Sequence, residues 1–301
     1  MKPTVFIHTN DKQLIGALVS QHSLVRHSKN ADQFDVQILH TEDFPFLRAR
    51  HGQDYLRRGG PQLWRYDDLQ SFTPLRFAPP ERMGYSGRAV IIDPDIFAVG
   101  DVWELLSRDM DGAAVMSRLH WRAKDASGPF ATSAMLLDCE KLTHWRCEEQ
   151  FNELFEFKRD YEKWMGLELE PAGSVGALEP EWNDFDRLSP DTKMLHNTKQ
   201  ETQPWKTGLP IDFLRPDKPK GLMKKLPILN RLRKRIFGDY AFLGTYQAHP
   251  DPRQEQLFLG LLRECVEAGV VTDDMLRQAM REKHVRADIL DAIDRTPPLA
   301  A

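Results

Sequence analysis

The chain has 301 residues, with 45 acidic and 41 basic side chains and a net charge of −4. Hydrophobic residues make up 41% of it, which excludes a disordered or fibrous protein. The near-neutral charge excludes a generic nucleic-acid coat, because such proteins are strongly basic. The length fits one large α/β domain or two smaller ones, and either can bury a core.

The cysteines and the apolar pattern indicate the compartment. Cys139, Cys147 and Cys265 show no CxxC spacing, which favours a reducing environment over a disulfide framework. No run of about 18 apolar residues is present, so we expect no span across a bilayer. The start, residues 1–4, lacks the apolar stretch of a signal peptide. We therefore expect a cytoplasmic protein.

One segment holds much of the positive charge. Residues 218–237 carry eight basic side chains and no acidic one, which leaves a net charge of −12 on the rest of the chain. Leu, Ile, Met and Phe alternate with these cations, a pattern suited to an anionic membrane surface. A peripheral position at the inner face of the membrane is one interpretation; a solvated hinge and a segment docked on the acidic body are the others. Nucleic acid is disfavoured, since aromatic residues are nearly absent.

The first elements form a strand–helix–strand unit. Residues 4–8 are predicted as a buried strand, residues 13–28 as a helix and residues 34–39 as a second strand. This order is typical of an α/β fold with parallel strands. Residues 43–80 are predicted to be irregular, with Gly59-Gly60-Pro61 as the interruption.

Further strands and helices follow in alternation. Strands are predicted at 88–92, 112–116 and 133–137, a helical region at about 140–165, and helices at 253–268 and 273–294. Asp101 is the expected N-cap of a short helix, and Thr272 that of the last helix. We place a boundary near residue 216, between a domain of residues 1–215 and a basic and helical extension of residues 216–301.

Two carboxylates follow the apolar strand at 88–92. Asp93 and Asp95 flank a proline, and ligands of open α/β sheets collect beyond the carboxyl ends of strands. Such a pair can hold Mg²⁺ or Mn²⁺, which would neutralise charge on a departing diphosphate. The alternative is a polar exit from the strand into a turn, because Asp-x-Asp is a common sequence.

The surrounding sequence resembles a known family. Residues 89–106 resemble the metal-binding segment of family 8 glycosyltransferases, where an apolar strand leads into Asp-x-Asp, an apolar pair, Gly-Asp and a Leu-rich helix. Other elements of that family are resembled by Thr73-Pro74-Leu75-Arg76, by residues 133–138, by Glu181-Trp182-Asn183, and by Leu195-His196-Asn197 followed by Gln203-Pro204-Trp205. These elements stand in the family's order and cover about residues 4–210.

The resemblance implies the GT-A fold, a Rossmann-like mixed sheet flanked by helices. It also implies retaining transfer of a sugar from a nucleotide-diphospho-sugar, for which we favour a UDP-sugar, to a glycan or lipid-linked acceptor. The metal ligands implied are Asp93, Asp95 and His196, with Mn²⁺ or Mg²⁺ as the ion. Arg76 is expected to contact the donor, and Asp160 to lie near the transferred sugar.

The remaining donor contacts are expected from two groups of residues. His8, Thr9 and Asn10 follow the first strand, where the base and ribose should lie, and Lys199 or Lys206 is expected to contact phosphate. Each prediction has a structural alternative: a surface ion pair for Arg76, a polar turn for residues 8–10, a surface charge for each lysine and for Asp160.

Two departures from the family concern its activity. Ala131-Thr132-Ser133 stands where the family has Asn-Ser-Gly, and Gln203 stands where it has a lysine. The first difference, together with Asp160-Tyr161-Glu162 near the place where the family has Asp-Gln-Asp, keeps a second hypothesis open: a non-catalytic protein of the same fold that binds a sugar nucleotide or a glycan. A nucleotidyltransferase is disfavoured, because residues 9–12 lack the glycines of its signature loop.

Overall fold

The computed structural model describes residues 2–120, 123, 128–213 and 243–300, and strands and helices alternate through them. Its strands are β1 Thr4–Thr9, β2 Asp35–His40, β3 Asp54–Arg57, β4 Gly60–Leu63, β5 Arg88–Ile92, β6 Ile96–Ala98, β7 Val115–Leu119, β8 Phe130–Asp138, β9 Val175–Leu178, β10 Asp184–Phe185 and β11 Met194–His196. Its α-helices are α1 Leu14–Arg26, α2 Pro45–Ala49, α3 Pro79–Arg82, α4 Trp103–Leu106, α5 Cys147–Phe155, α6 Tyr161–Met165, α7 Pro252–Glu267, α8 Asp273–Arg281 and α9 Ile289–Arg295.

A six-stranded mixed sheet forms the centre of the fold, in the order β2-β1-β5-β8-β7-β9. β1 is parallel to β2 and β5, β9 is parallel to β7, and β8 is antiparallel to both β5 and β7. The carboxyl ends of β1, β5 and β7 therefore lie at the same edge as the start of β8. The predicted α/β fold, with a mixed sheet flanked by helices, is confirmed.

Burial on both faces explains the near-continuous apolar sequence of the central strands. Successive side chains of a strand point to opposite faces. In β5, Ile91 joins a cluster with Trp145 and Trp164 on one face. Val90 and Ile92 join a second cluster with residues of α1 on the other face. Burying each of these aliphatic side chains contributes about 1.5–3 kcal/mol.

A small second sheet brings a distant segment to the end of β5. Its order is β10-β11-β6, and His196 of β11 pairs with Ile96, directly after Asp95. The backbone N–H of Asn197 donates to the carbonyl of Asp95 over 3.0 Å. The second sheet thus fixes His196 beside the carboxylates that follow β5.

The C-terminal helices share a hydrophobic cluster with the first half of the chain. Residues of α7, α8 and α9 pack with Ile15 and Val19 of α1, with Phe97 and with Trp205. Described residues on both sides of position 216 therefore belong to one cluster. The basic segment 218–237, and the membrane surface predicted for it, lie outside the described residues. Among the helices that are described, none combines the length and the apolar character needed to cross a bilayer.

The region at 43–80 is more regular than predicted. β3 and β4 pair as an antiparallel hairpin whose two tip residues, Arg58 and Gly59, have φ of +54° and +72°. Two consecutive residues with positive φ form the turn type that matches the twist of a hairpin. The pair Gly59-Gly60 is a signal for a hairpin turn, but a proline such as Pro61 argues against a strand. In the structure, Pro61 lies in β4 and pairs with Leu56.

Two predicted helical regions are interrupted. The region 140–165 contains α5 and α6 with a break between them, where Phe157 has φ of +59°. The helix predicted at 273–294 was wrong as a single helix, because the chain leaves α8 at Lys283, with φ of +60°, before α9 begins. Its predicted N-cap is confirmed, since Thr272 accepts a hydrogen bond from the N–H of Met275.

A glycine in α1 allows the close approach of that helix to the carboxylate turn. A Cβ atom on Gly16 would lie 2.8 Å from the carbonyl oxygen of Pro94. We expect Gly16→Ala to lower the free energy of unfolding by about 1–3 kcal/mol, the usual cost of overpacking a rigid contact. Chemical denaturation measures this change.

Gly260→Ala is the matched control within α7. A Cβ atom there meets the side chain of Leu299, 2.5 Å from its Cγ, so a side chain and not the backbone has to shift. The helix propensity of alanine, up to about 1 kcal/mol better than that of glycine, offsets part of this cost, and we expect a smaller loss of stability than in Gly16→Ala. Equal loss of stability in both variants would contradict the close backbone contact at Gly16.

Candidate metal centre

Three predicted ligands meet at the edge of the main sheet. Ligand atoms of Asp93, Asp95 and His196 all lie within 4.8 Å of one another, and the three residues are buried. Asp93 follows β5, Asp95 lies two residues later, and His196 arrives from the second sheet. The arrangement therefore depends on residues about 100 positions apart in sequence.

A hydrogen bond fixes the tautomer of His196. The Asn183 side chain donates its amide to Ser133 Oγ over 2.9 Å, which leaves its carbonyl oxygen facing His196 Nδ1 at 2.8 Å. Because that oxygen can only accept, Nδ1 carries the proton. The Nε2 atom of His196 is then a bare lone pair, which is the form that binds metals.

In the neutral ring, this lone pair faces a second acceptor, the carboxylate of Asp95. Asp95 Oδ1 lies 3.3 Å from His196 Nε2 and has no hydrogen-bond partner among the described residues. Two buried acceptors this close repel each other and leave Asp95 Oδ1 unsatisfied. A divalent cation between them removes both costs, and a carboxylate with an imidazole is a suitable donor pair for Mn²⁺.

The other oxygen of Asp95 is held by an amide pair. Gln203 Nε2 donates to Asp95 Oδ2 over 2.9 Å, and Gln13 Nε2 donates to Gln203 Oε1 over 3.2 Å. Both glutamines are buried. They orient the carboxylate so that Oδ1 is the atom left for a cation.

Asp93 differs from Asp95 because its charge is already balanced. Arg76 donates to both of its oxygens, at 2.8 and 2.5 Å, and His8 Nε2 lies 2.7 Å from Oδ1. Burial raises the pKa of Asp93, but Arg76 and His8 outweigh it and hold that pKa far below its usual range. Asp93 is therefore a carboxylate, and Asp95 is the one without a lysine or arginine partner within 4 Å in the described chain.

His8 is a neutral donor to Asp93. Burial lowers its pKa, and the contact with Asp93 only partly opposes this. Since Nε2 carries the proton towards the carboxylate, Nδ1 is a free acceptor, and it has no partner among the described residues. The His8 ring lies against Phe72, with 5.0 Å between the ring centres.

The two residues that follow His8 are also buried. The amide of Asn10 donates to the carbonyls of Asp68 and Leu69 and to Ser71 Oγ, so it fastens the segment that leads to Arg76. Its Oδ1 has no partner in the described ranges. Thr9 donates its hydroxyl to the carbonyl of Asn10. The end of β1 therefore presents two buried acceptors, one on His8 and one on Asn10.

Neither predicted phosphate-binding lysine hydrogen-bonds to the three candidate ligands. Lys199 is exposed. Lys206 is fully buried and lies 3.1 Å from Asp212, which also accepts from the Tyr246 hydroxyl at 2.6 Å. Burial lowers the pKa of Lys206, and Asp212 opposes the change. Lys206 thus forms a buried ion pair that holds residues 206–212 against Tyr246.

Asp160 occupies a structural position at the start of α6. One oxygen accepts from the N–H of Glu162, and the other accepts from the N–H of Gly59 at 2.8 Å. It therefore caps α6 and attaches that helix to the tip of the β3–β4 hairpin. A different contact links α6 to the candidate metal centre. The Thr132 hydroxyl accepts a hydrogen bond from Arg76 and donates one to the carbonyl of Met165, the last residue of α6.

The sequence interpretation assigned no role to several of these residues. Asn183 and Gln203 belonged to the family elements, but only the structure shows which atoms they hold. Thr132 was noted only as a departure from the family. Gln13 had no sequence signal at all, since its partner lies 190 residues away. Trp205, which belongs to the same family element as Gln203, packs between Phe97 and Phe258.

Several solved structures are similar to part of this one. No protein-family profile and no curated protein matches the chain. The apo form of the glycosyltransferase GlyE from Streptococcus pneumoniae TIGR4 is similar over 69% of this chain and 57% of that chain, with 17% identity and a TM-score of 0.49. The galactosyltransferase LgtC, in complex with donor and acceptor sugar analogues, is similar over 67% of this chain and 89% of that chain, with 12% identity and a TM-score of 0.48.

A third similar structure is mouse xyloside xylosyltransferase 1, over 66% of this chain and 98% of that chain, with 14% identity and a TM-score of 0.43. The chain spans between 57% and 64% of the length of the two GlyE structures it matches. The function proposed below rests on the geometry of the metal centre.

The hydrogen bond from His196 to Asn183 can be tested directly. We expect Asn183→Ala to lower Mn²⁺ affinity about 10- to 100-fold, because the imidazole loses the partner that fixes its tautomer. Asn183→Asp keeps an acceptor at that position and should retain more of the affinity. Mn²⁺ binding is measured by electron paramagnetic resonance, with circular dichroism to confirm folding.

Asn152→Ala is the control, since Asn152 only accepts a hydrogen bond from Arg50 at a distant surface. It should bind Mn²⁺ as the wild type does. A folded Asn183→Ala protein with unchanged Mn²⁺ affinity would contradict the role assigned to Asn183.

Proposed function

We propose that the protein is a metal-dependent glycosyltransferase that uses a nucleotide-diphospho-sugar as donor and a glycan or lipid-linked acceptor. One observation carries the proposal: buried ligand atoms of Asp93, Asp95 and His196 converge within 4.8 Å of one another, and Asp95 Oδ1, 3.3 Å from His196 Nε2, has no hydrogen-bond partner in the described residues. The pair is buried at the carboxyl ends of the parallel strands, where α/β folds bind nucleotides.

The residues around this centre have different roles in the proposed function. Asp95, His196 and Asp93 would hold the cation, which supplies charge neutralisation of the departing diphosphate when bound. Arg76 keeps Asp93 ionised and in place, and its Nη1 reaches Thr132 over 3.0 Å. Gln203 and Asn183 hold the two principal ligands at fixed angles. The site is thus pre-organised before any substrate binds.

The end of β1 supports a nucleoside in the donor. His8 Nδ1 and Asn10 Oδ1 are buried acceptors without partners in the described structure, so each can accept a hydrogen bond. The imide N–H of uracil and the hydroxyls of ribose are donors that would satisfy them. A UDP-sugar is therefore the donor class we favour, with Mn²⁺ or Mg²⁺ as the ion.

Retention of configuration is part of the proposal. It requires either a nucleophile on the opposite face of the sugar or attack guided by the departing phosphate, through an oxocarbenium-like state. Asp160 is a poor nucleophile, because the N–H groups of Gly59, Glu162 and Lys163 all donate to its carboxylate. Burial raises the pKa of Asp160, but these donors outweigh burial, and the pKa of Asp160 lies below its usual value. We therefore favour attack on the face of the departing phosphate.

Replacement of one ligand tests the proposal. In the wild type, Mn²⁺ with UDP should raise the melting temperature, and one member of a panel of nucleotide-sugars should be hydrolysed or transferred. We expect Asp95→Asn to abolish the thermal shift and to lower turnover at least 100-fold, since it removes charge that a cation requires. Asp191→Asn is the matched control, because Asp191 is an exposed carboxylate shortly before β11.

An unchanged thermal shift in Asp95→Asn would refute the metal centre. A normal shift in the wild type, with every nucleotide-sugar left intact in the presence of Mn²⁺ and acceptors, would instead favour the non-catalytic hypothesis. Asp191→Asn should behave as the wild type in both measurements.

A further inference from the structure

One arginine lies beside the metal centre without an acidic partner. Arg118 is in β7, and its guanidinium stacks on the ring of Phe185 at 4.0 Å. It donates through Nη1 to the carbonyl of Asn183 over 2.6 Å. Phe185 in turn contacts the His196 ring edge-on, with 5.6 Å between ring centres. Arg118 is therefore two ring contacts away from a candidate metal ligand.

No carboxylate lies within 4 Å of this guanidinium in the described part of the chain. Asp184 and Glu181 influence Arg118 from a greater distance. Asp184 is itself held by the Thr192 hydroxyl at 2.7 Å and by Arg187 at 3.4 Å. The remaining N–H groups of Arg118 have no hydrogen-bond partner in the described residues, although the side chain is only partly exposed.

A partly buried cation without a counter-ion is costly for the folded protein. Arginine cannot relieve the cost by losing its proton, because its pKa is too high. Some arginines of this fold are paired with carboxylates, as Arg57 is with Glu162 at 2.7 Å and Arg108 with Glu179 at 2.6 Å. The contacts with Phe185 and Asn183 hold the guanidinium of Arg118 in one orientation. Such an arrangement is typical of a site for an anionic ligand.

The position of Arg118 in the sheet separates it from the expected donor. His8 and Asp93 lie at the ends of β1 and β5, which are neighbours in the sheet. β7 is two strands beyond β5, and β8 lies between them. At about 4.8 Å per strand, the end of β7 is roughly 10 Å from the end of β5. This spacing places Arg118 about the width of one sugar ring beyond the carboxylates that follow β5.

We propose that Arg118 binds an oxyanion, either a carboxylate or a phosphate, on the acceptor. The inference rests on the proposed function and specifies its substrate class: an acidic sugar or a phosphate-linked sugar. The unpaired N–H groups offer the bidentate geometry that carboxylate and phosphate accept. Arg118 is a specificity residue in this arrangement and takes no part in bond making or breaking.

Equilibrium binding in the presence of Mn²⁺ and UDP tests this assignment. The probes are methyl β-D-glucuronide for a carboxylate, glucose 6-phosphate for a phosphate, and methyl β-D-glucoside as the neutral reference. We expect the wild type to bind an anionic probe at least tenfold more tightly than the glucoside. The larger of the two gains identifies which anion the site prefers.

Variants at position 118 isolate the guanidinium. Arg118→Met should remove the preference for anionic probes, and Arg118→Lys should keep part of it, because a point charge remains without the fork. Arg187→Met is the matched control, since Arg187 is a nearby exposed arginine already paired with Asp184. It should retain the full preference.

Two outcomes would overturn the assignment: a wild type with no preference, or a preference that survives Arg118→Met. The latter would show that the anions bind Mn²⁺ itself. The Mn²⁺ and UDP thermal shift is measured on the same samples. A normal shift without an anion preference refutes the role of Arg118 alone, and an anion preference without any shift refutes the proposed function alone.

Discussion

The geometry of the candidate metal centre depends on one hydrogen bond, which His196 Nδ1 donates to the side-chain oxygen of Asn183. It directs the Nδ1–H group of His196 towards Asn183, so that Nε2 is the ring nitrogen that faces Asp95. Two neighbouring contacts support this hydrogen bond. Pairing in the second sheet positions His196, and Ser133 Oγ accepts from the Asn183 amide and keeps it in one orientation. With a neutral ring, a positive charge between Nε2 and the Asp95 carboxylate would stabilise this arrangement.

Two aspartates of one short motif therefore have different physical roles. Asp93 is neutralised within the protein by Arg76 and accepts from His8, so it is tied to the sheet in any state. Asp95 has one oxygen held by Gln203 and one with no partner in the described residues. The motif combines an anchored carboxylate with an open one. A substitution at either position would disturb the site for a different reason.

The fold and the grouping of Asp93, Asp95 and His196 were predictable, because their signals are local or resemble a family pattern. The strand at 88–92 is almost wholly apolar, and the carboxylates follow it directly. The partners of the ligands were not predictable, since Gln13 and Gln203 meet only when α1 packs against the carboxylate turn. The same holds for Arg118, whose importance lies in the absence of a carboxylate from its described surroundings. No sequence pattern records a missing contact.

The C-terminal helices give the centre a thermodynamic link to a remote part of the chain. Asn197, the neighbour of His196, donates to Gln254 in the first turn of α7 over 2.6 Å, and Trp205 packs on Phe258 of the same helix. The ligand strand cannot hold its geometry if α7 separates from it. An ion bound at the candidate centre would therefore be coupled to the folding of α7, and its binding should slow amide hydrogen exchange along that helix.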